Sequence, residues 1–172
     1  MEIKKATPED FPICCEILEA ARKNIKELGI DQWQKGSPSS LDLKRDIEEG
    51  TLFTVQNEGE ISGFCYLSFD GEPLYEKIYD GSWLSEGDFC VIHRVAVRSD
   101  KRGSGVFKSL VEFAEKTAKA RGVHSLKIDT HRGNIRMRNA LKKNGFLECG
   151  VIFLETGEER IGLEKVLEEV FK

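Results

Sequence analysis

The chain has 172 residues, 40% of them hydrophobic, 9% aromatic and 33% charged, which fits a single domain over 1–172 that buries about 70% of its unfolded surface without a disulfide or metal. Its 26 Lys and Arg against 30 Asp and Glu leave a formal charge of −4, far from the basic balance of a duplex-binding domain, so nucleic acid is not expected as a partner. Met1-Glu2-Ile3-Lys4-Lys5 runs into polar residues and Pro8 where a signal peptide needs an apolar core, and no run reaches the ~18 apolar residues of a membrane span; a cytoplasmic protein without membrane attachment is expected.

Ile3 opens a short strand. Thr7-Pro8-Glu9-Asp10 reads as a helix start, with a hydroxyl cap, Pro at the first helical position and acids in the first turn. Phe11, Cys14, Cys15, Leu18, Ala21, Ile25 and Leu28 keep the spacing of one buried stripe up to Gly29, and a loop over residues 31–38 follows. Ser40 is expected to cap a second helix through Leu41, Leu43 and Ile47, ended by Gly50. Residues 52–56 and 61–69 flank the turn Asn57-Glu58-Gly59-Glu60 as an antiparallel hairpin. Residues 70–88 are the least regular stretch, with Tyr75, Tyr79 and Trp83 among six acids and one lysine.

Residues 89–97 are apolar and β-branched enough for a central strand, interrupted by the polar pair His93-Arg94. After a polar turn, residues 106–121 predict an amphipathic helix closed by Gly122. A strand at 126–130, a helix at 134–144 ending at Gly145, and strands at 146–154 and 160–166 complete the chain. The order β-α-α-β-β-β-α-β-α-β-β, with no internal repeat, predicts an α/β protein with a mixed sheet and helices on its faces. Cys14, Cys15, Cys65, Cys90 and Cys149 lack the CxxC spacing of zinc or redox sites; they read as reduced structural thiols, and no metal is expected.

The sharpest chemical signal is the string from Val95 to Lys108, a strand running through a basic, glycine-bearing turn into a helix. A helix start presents about four N–H donors without helical partners, and its macrodipole adds roughly half a positive charge. Gly103 and Gly105 remove Cβ atoms that would hold an anion away, and Arg98, Lys101, Arg102 and Lys108 add positive charge, so a phosphate or pyrophosphate ligand is expected. A plain glycine turn with solvated basic residues is the alternative. A Walker A loop fails because Val106-Phe107-Lys108 follows Gly105, and a dinucleotide fingerprint fails at Lys108.

The string resembles the GNAT superfamily of N-acetyltransferases, whose acetyl-CoA motif is Arg or Gln, two residues, Gly, one residue, then Gly or Ala. Arg102, Gly105 and Phe107 occupy those places, Phe107 being larger than the family's residue. Asn134, Met137, Ala140, Gly145 and Phe146 match the family's second motif, and the element order agrees over nearly the whole chain. The resemblance implies a mostly antiparallel sheet of about seven strands with helices on both faces, and acetyl-CoA as co-substrate. It also implies contacts to acetyl-CoA from Val95, Ala96 and Val97 with the pantetheine, from Arg102, Gly103, Ser104, Gly105, Val106, Phe107 and Lys108 with the pyrophosphate, and from Asn134.

The family's chemistry is direct attack of an amine on the thioester in a ternary complex, which needs no acyl-enzyme cysteine. An aliphatic amine of pKa ~10.4 is neutral in about one molecule in 2,500 at pH 7, a penalty of roughly 4.6 kcal/mol, so a base or water relay must take its proton. The family's base is often a Glu on the fourth strand, and His93 stands at that place; an imidazole of reference pKa ~6.5 can accept a proton near neutrality. A histidine merely satisfied within its strand is the alternative. Asp129-Thr130-His131 ends the next strand, and these side chains, Asp129 and His131 above all, are candidates to orient His93, relay a proton or bind the acceptor, against capping of the following turn by Asp129 or Thr130. His124 is expected to be exposed and inert.

Where the family often carries a Tyr that protonates the leaving thiolate, this sequence has Leu141. Acceptor contacts are expected from Trp33 and Gln34 in the 31–38 loop and from Tyr75, Tyr79 and Trp83, whose aromatic faces among carboxylates suit a cationic amine; a solvated acidic loop with its aromatics folded onto the core is the alternative. The sequence therefore predicts an N-acetyltransferase for a primary amine, with a noncatalytic acyl-CoA-binding or sensing domain and a nucleotide-binding α/β protein as rivals. A homodimer is left open as the assembly.

Overall fold

Among the described residues, seven strands and four helices form in the order that the sequence predicts. In the computed structural model, which describes residues 1–168, they are β1 (Glu2–Lys5), α1 (Phe11–Glu27), α2 (Ser40–Glu49), β2 (Leu52–Asn57), β3 (Glu60–Ser68), β4 (Cys90–Val97), α3 (Val106–Ala120), β5 (Ser125–Thr130), α4 (Ile135–Lys143), β6 (Leu147–Phe153) and β7 (Glu159–Val166). The strand order is β1-β2-β3-β4-β5-β7-β6. β1–β2, β2–β3, β5–β7 and β6–β7 are antiparallel, and β4 meets β5 in parallel through Cys90↔Leu126 and Val91↔Lys127. The chain divides into two compact units, Met1–Leu67 with His93–Phe113, and Ser68–Ile92 with the remainder from Ala114.

In the first unit, Cys14, Ile17 and Leu18 of α1 and Leu43 and Ile47 of α2 bury against Leu52, Ile61, Phe64 and Ala96. Two helix starts differ from the sequence reading. Thr7 and Asp10 do form a capping box around Pro8, but Pro12 has no N–H for a helical bond back to residue 8, so Pro8–Asp10 closes as a 3₁₀ turn and the α-helix begins at Phe11. Ser39, not Ser40, caps α2, because its hydroxyl accepts from the Asp42 N–H while the Asp42 carboxylate accepts from the Ser39 N–H at 2.7 Å. Glu58 and Gly59 both have positive φ, which matches the right-handed twist of the β2–β3 hairpin.

In the second unit, Tyr75, Val91 and Ile152 form a buried cluster joined by Leu74, Ile78, Trp83 and Phe89. Tyr75 and, in part, Trp83 of the 70–88 stretch are therefore folded onto the core while Asp70, Glu76, Asp80, Glu86 and Asp88 are exposed, as the solvated-loop alternative has it, and the stretch adds a two-bond bridge between Tyr79 and Val151 at 2.8 and 2.7 Å. α4 is tied to β6 by Arg138, which donates to both carboxylate oxygens of Glu148 at 2.7 and 3.1 Å, with Lys142 at 3.2 Å.

The Arg138 hydrogen bond holds the Glu148 carboxyl below its ordinary value of 4.5. A depressed folded pKa means stability that is present above the unfolded pKa and lost as pH falls through the folded one. Glu148→Gln is accordingly expected to lower the unfolding free energy by about 1 kcal/mol at pH 7, with the difference from wild type closing as pH falls below 4.5. Urea titrations at pH 7 and pH 3.5 check this, and an equal loss at both would assign the effect to packing.

His124 is half-buried rather than exposed, and its carbonyl accepts from the Leu167 N–H at 2.8 Å. Cys14, Cys65, Cys90 and Cys149 are buried, Cys15 is half-buried, and none is in a disulfide. Burial pushes the Cys14 and Cys90 thiols up to about 12, which makes them poor nucleophiles. Among the described residues no helix is long and apolar enough to cross a membrane.

Candidate active site

The basic turn enters α3 in the geometry that an anion requires. Gly103 and Gly105 have φ of 74° and 88°, a left-handed backbone that side-chain-bearing residues adopt at a penalty. Around a Cβ built at Gly103 there is nothing within 4 Å, and at Gly105 only the Met1 methyl at 3.7 Å, so conformation rather than crowding selects glycine. The Ser109 N–H donates to the Gly105 carbonyl at 2.9 Å as the first helical bond. The N–H groups of Val106, Phe107 and Lys108 thus precede the helical ladder, at the positive end of the dipole. Arg102, Gly103, Ser104 and Gly105 are exposed, Val106 is buried and Phe107 half-buried. This open turn fits a pyrophosphate.

Carboxylates lie against Arg98 and Lys108. Arg98 pairs with Asp100 at 2.9 Å and Glu60 at 3.5 Å, and Lys108 lies 3.7 Å from Glu112. Gly63 of β3 fixes the strand that leads to the turn: a Cβ there would sit 2.7 Å from the Ala96 carbonyl and 3.1 Å from a Val106 methyl. Val95 and Ala96 are buried and Val97 is half-buried.

One turn of chain earlier, Arg94 has φ of 50° inside β4. Neighbouring residues on a regular strand face opposite sides, yet the His93 ring lies 5.9 Å from the Tyr66 ring and the Arg94 guanidinium 5.1 Å over the same ring. Arg94 Nη1 also donates to the buried Asp46 carboxylate at 2.9 Å. Burial pushes the Asp46 carboxyl up from its ordinary range, and the Arg94 charge draws it part of the way back.

The second unit places its candidates differently from the sequence reading. Asp129 is half-buried and accepts from the Tyr75 hydroxyl at 2.6 Å. Tyr75 is a correction: it is buried, packs against Trp83 and Phe89 at 5.2 and 6.1 Å, and presents no face to solvent. Burial, then the Asp129 charge, pushes the Tyr75 phenol well above its ordinary value, so it is a poor proton donor.

Trp83 is half-buried, donates its indole N–H to the Tyr75 carbonyl at 2.8 Å and covers Gly162. Tyr79 is exposed and meets Phe153 edge-on at 5.3 Å. His131 Nδ1 accepts from the Gly133 N–H at 2.9 Å. Asn134 caps α4, accepting from the Met137 N–H at 3.2 Å. Leu141 is fully buried, so no acid acts from that position.

In the 31–38 loop, Trp33 packs against the first unit's core and Gln34 donates to the carbonyls of Arg22 and Gln32 at 3.1 and 2.9 Å. Arg22 of α1 holds this loop through the carbonyls of Trp33, at 2.9 Å, and Pro38. Arg22, Asp46, Tyr66, Lys127 and Glu164 were missed as candidates. Asp46 carried a signal, because Leu43, Asp46 and Ile47 share one helical face.

A strand leads into a glycine turn and a helix N-terminus on a seven-stranded mixed sheet among the described residues. The model of the acetyltransferase (GNAT) family matches residues 17–146, and the chain belongs to that family. Streptothricin acetyltransferase of Escherichia coli is 33% identical over 100 residues, 58% of this chain and 56% of that protein, so the chain spans just over half the length of this relative. A GNAT-family acetyltransferase of Streptococcus agalactiae 2603 superimposes with a TM-score of 0.87 at 29% identity, over 98% of this chain and 96% of the other. A ribosomal-protein-alanine N-acetyltransferase of Brucella melitensis shares the fold at a TM-score of 0.70 and 20% identity, over 97% and 100% of the two chains.

Proposed function

We propose that residues 1–172, of which 169–172 lie outside the described residues, act as one cytoplasmic N-acetyltransferase domain that moves an acetyl group from acetyl-CoA to a primary amine by direct attack. The observation that carries this reading is the open left-handed turn at Gly103 and Gly105, with the amides of Val106, Phe107 and Lys108 behind it. Those amides, with Arg102 and Ser104, hold the pyrophosphate, the backbone of Val95, Ala96 and Val97 pairs with the pantetheine, and Asn134 keeps the start of α4 in place. Acetyl-CoA, when bound, supplies the thioester acyl group. His93 takes the proton of the attacking amine. Asp129 and His131 orient the acceptor, with contacts from Trp33, Gln34, Tyr79 and Trp83, and Tyr75 contributes only by fixing Asp129.

The buried Leu141 at the position of the family's acid favours a second reading, a noncatalytic acyl-CoA-binding domain. Melting shifts with acetyl-CoA, ATP and NAD test the ligand class, and CoA release over an amine panel that includes streptothricin tests turnover. At 100 times its dissociation constant acetyl-CoA should add about 2.7 kcal/mol of stability; no shift overturns both readings, a shift without CoA release favours the second, and a shift with ATP or NAD alone favours a nucleotide-binding protein. Gly105→Val should weaken acetyl-CoA binding at least tenfold and lower stability by about 1–3 kcal/mol, because a β-branched residue is forced into left-handed backbone. Unchanged affinity would remove the turn from the site.

A further inference from the structure

We infer that Asp46 is a positioning residue for β4: its buried carboxylate holds Arg94 in its left-handed backbone conformation and thereby keeps His93 against Tyr66. Four observations meet there. Arg94 is one of four side-chain-bearing residues with positive φ, at 50°, and lies within a strand. A non-glycine residue in that conformation persists only where its surroundings over-determine it. The Asp46 side chain is 2% exposed and that of Arg94 20%, and they meet at 2.9 Å. Burial makes Asp46 the anchor and Arg94 the held group, since a guanidinium this deep needs an anion. The Tyr66 ring closes the arrangement, with Arg94 over it and His93 beside it.

The groups around Asp46 that bear charge are Arg94 and Arg45, which favour its ionised form, and Asp42 and Glu49, which oppose it. Arg45 is engaged by Asp42 at 3.0 Å, so Arg94 is the cation that the buried carboxylate holds. Without Asp46, Arg94 gains most by relaxing to ordinary extended backbone and turning its guanidinium to water. Strand alternation then carries its side chain away from Tyr66 and shifts His93 with it.

This inference rests on the acetyltransferase reading only for its kinetic consequence, so the experiment has one arm independent of turnover. His93 ring resonances, assigned by their loss in His93→Gln, carry the ring-current shift of Tyr66 in the wild type. In Asp46→Asn that shift is expected to collapse, and kcat to fall at least tenfold with the KM for acetyl-CoA changed less than twofold. Arg94→Gly supplies a residue that accepts the left-handed backbone unaided. The pair Asp46→Asn with Arg94→Gly should therefore regain the ring-current shift and lie within threefold of Arg94→Gly alone in kcat. An unchanged His93 shift in Asp46→Asn overturns the inference, as do Asp46 and Arg94 effects that simply multiply. If the wild type releases no CoA with any amine, the acetyltransferase reading fails while the resonance arm still decides the role of Asp46. If Asp46→Asn does not fold, the comparison of Arg94→Gly with the double variant decides it: equal shifts and rates support the inference, and a double variant that is also unfolded overturns it.

Discussion

Glu164→Ala is expected to lower the unfolding free energy by about 3–5 kcal/mol, a large share of the 5–15 kcal/mol that holds a domain folded. Glu164 is fully buried on β7, where its carboxylate accepts from the Leu84 N–H at 2.6 Å, the Ser125 hydroxyl at 2.7 Å and the Ser85 hydroxyl. Directly across the β5–β7 pair stands Lys127, also buried, with its ammonium 4.5 Å from the Trp83 ring centre and 4.1 Å from that of Phe89. Burial lowers the Lys127 pKa and the Glu164 charge opposes that fall. Alanine strands three donors and leaves a buried ammonium without its anion, with the Trp83 and Phe89 rings offsetting only part of the second penalty.

Glu164→Gln keeps one accepting oxygen and should lose about half as much, while adding Lys127→Met should recover part of the loss by removing the unpaired charge. Urea unfolding followed by Trp fluorescence measures all three. A loss below about 1 kcal/mol for the alanine variant would mean that water replaces the carboxylate. The same experiment reports on the 70–88 stretch, because Leu84 and Ser85 are its fastenings to β7.

Strong periodicity explains what was legible in the fold. The stripe from Phe11 to Leu28, the hairpin around Glu58-Gly59 and the strand-turn-helix at residues 90–120 each rest on local chemistry that one window of sequence contains. What local reading missed was long-range cover. Residues 70–88 have no period of 2 or 3.6, so the sequence left open whether their aromatics meet an acceptor or fold onto the core; Tyr75 buries and Trp83 and Ile78 half-bury because a sheet face with small residues, such as Gly162 beneath the Trp83 indole, lies ready for them. Lys127 and Glu164 are buried under the same cover. Burial of a strand's polar face depends on what crosses it, and that partner is distant in sequence.

The candidate site divides along the same line. The turn from Arg102 to Lys108 was readable because glycine placement and helix entry are local. That Arg98 spends its charge on Asp100 and Glu60 was not, since Glu60 is 38 residues away. The polar pair His93-Arg94 stood out within an apolar strand, but its meaning depended on a dihedral angle. Arg94 has φ of 50°, and both side chains lie at Tyr66.

His93→Ala is expected to lower kcat by roughly 10²–10⁴-fold, the usual contribution of a positioned base, while the dissociation constant for acetyl-CoA changes less than twofold. The split follows from where the residues lie. The amides and glycines proposed to hold the pyrophosphate begin at Arg102, nine positions beyond His93, so loss of the imidazole leaves them intact. The barrier it removes is the roughly 4.6 kcal/mol needed to find an amine neutral at pH 7. That penalty shrinks by about 1.4 kcal/mol for each pH unit gained, so the deficit of the variant should narrow steadily toward pH 10 as the free amine rises on its own. A purely structural histidine predicts a deficit that does not change with pH, and equal turnover at pH 7 removes His93 from the base role. His93→Gln separates the two further: it keeps a hydrogen-bonding side chain beside Tyr66 yet cannot accept a proton, so it should restore the wild-type melting temperature without restoring turnover.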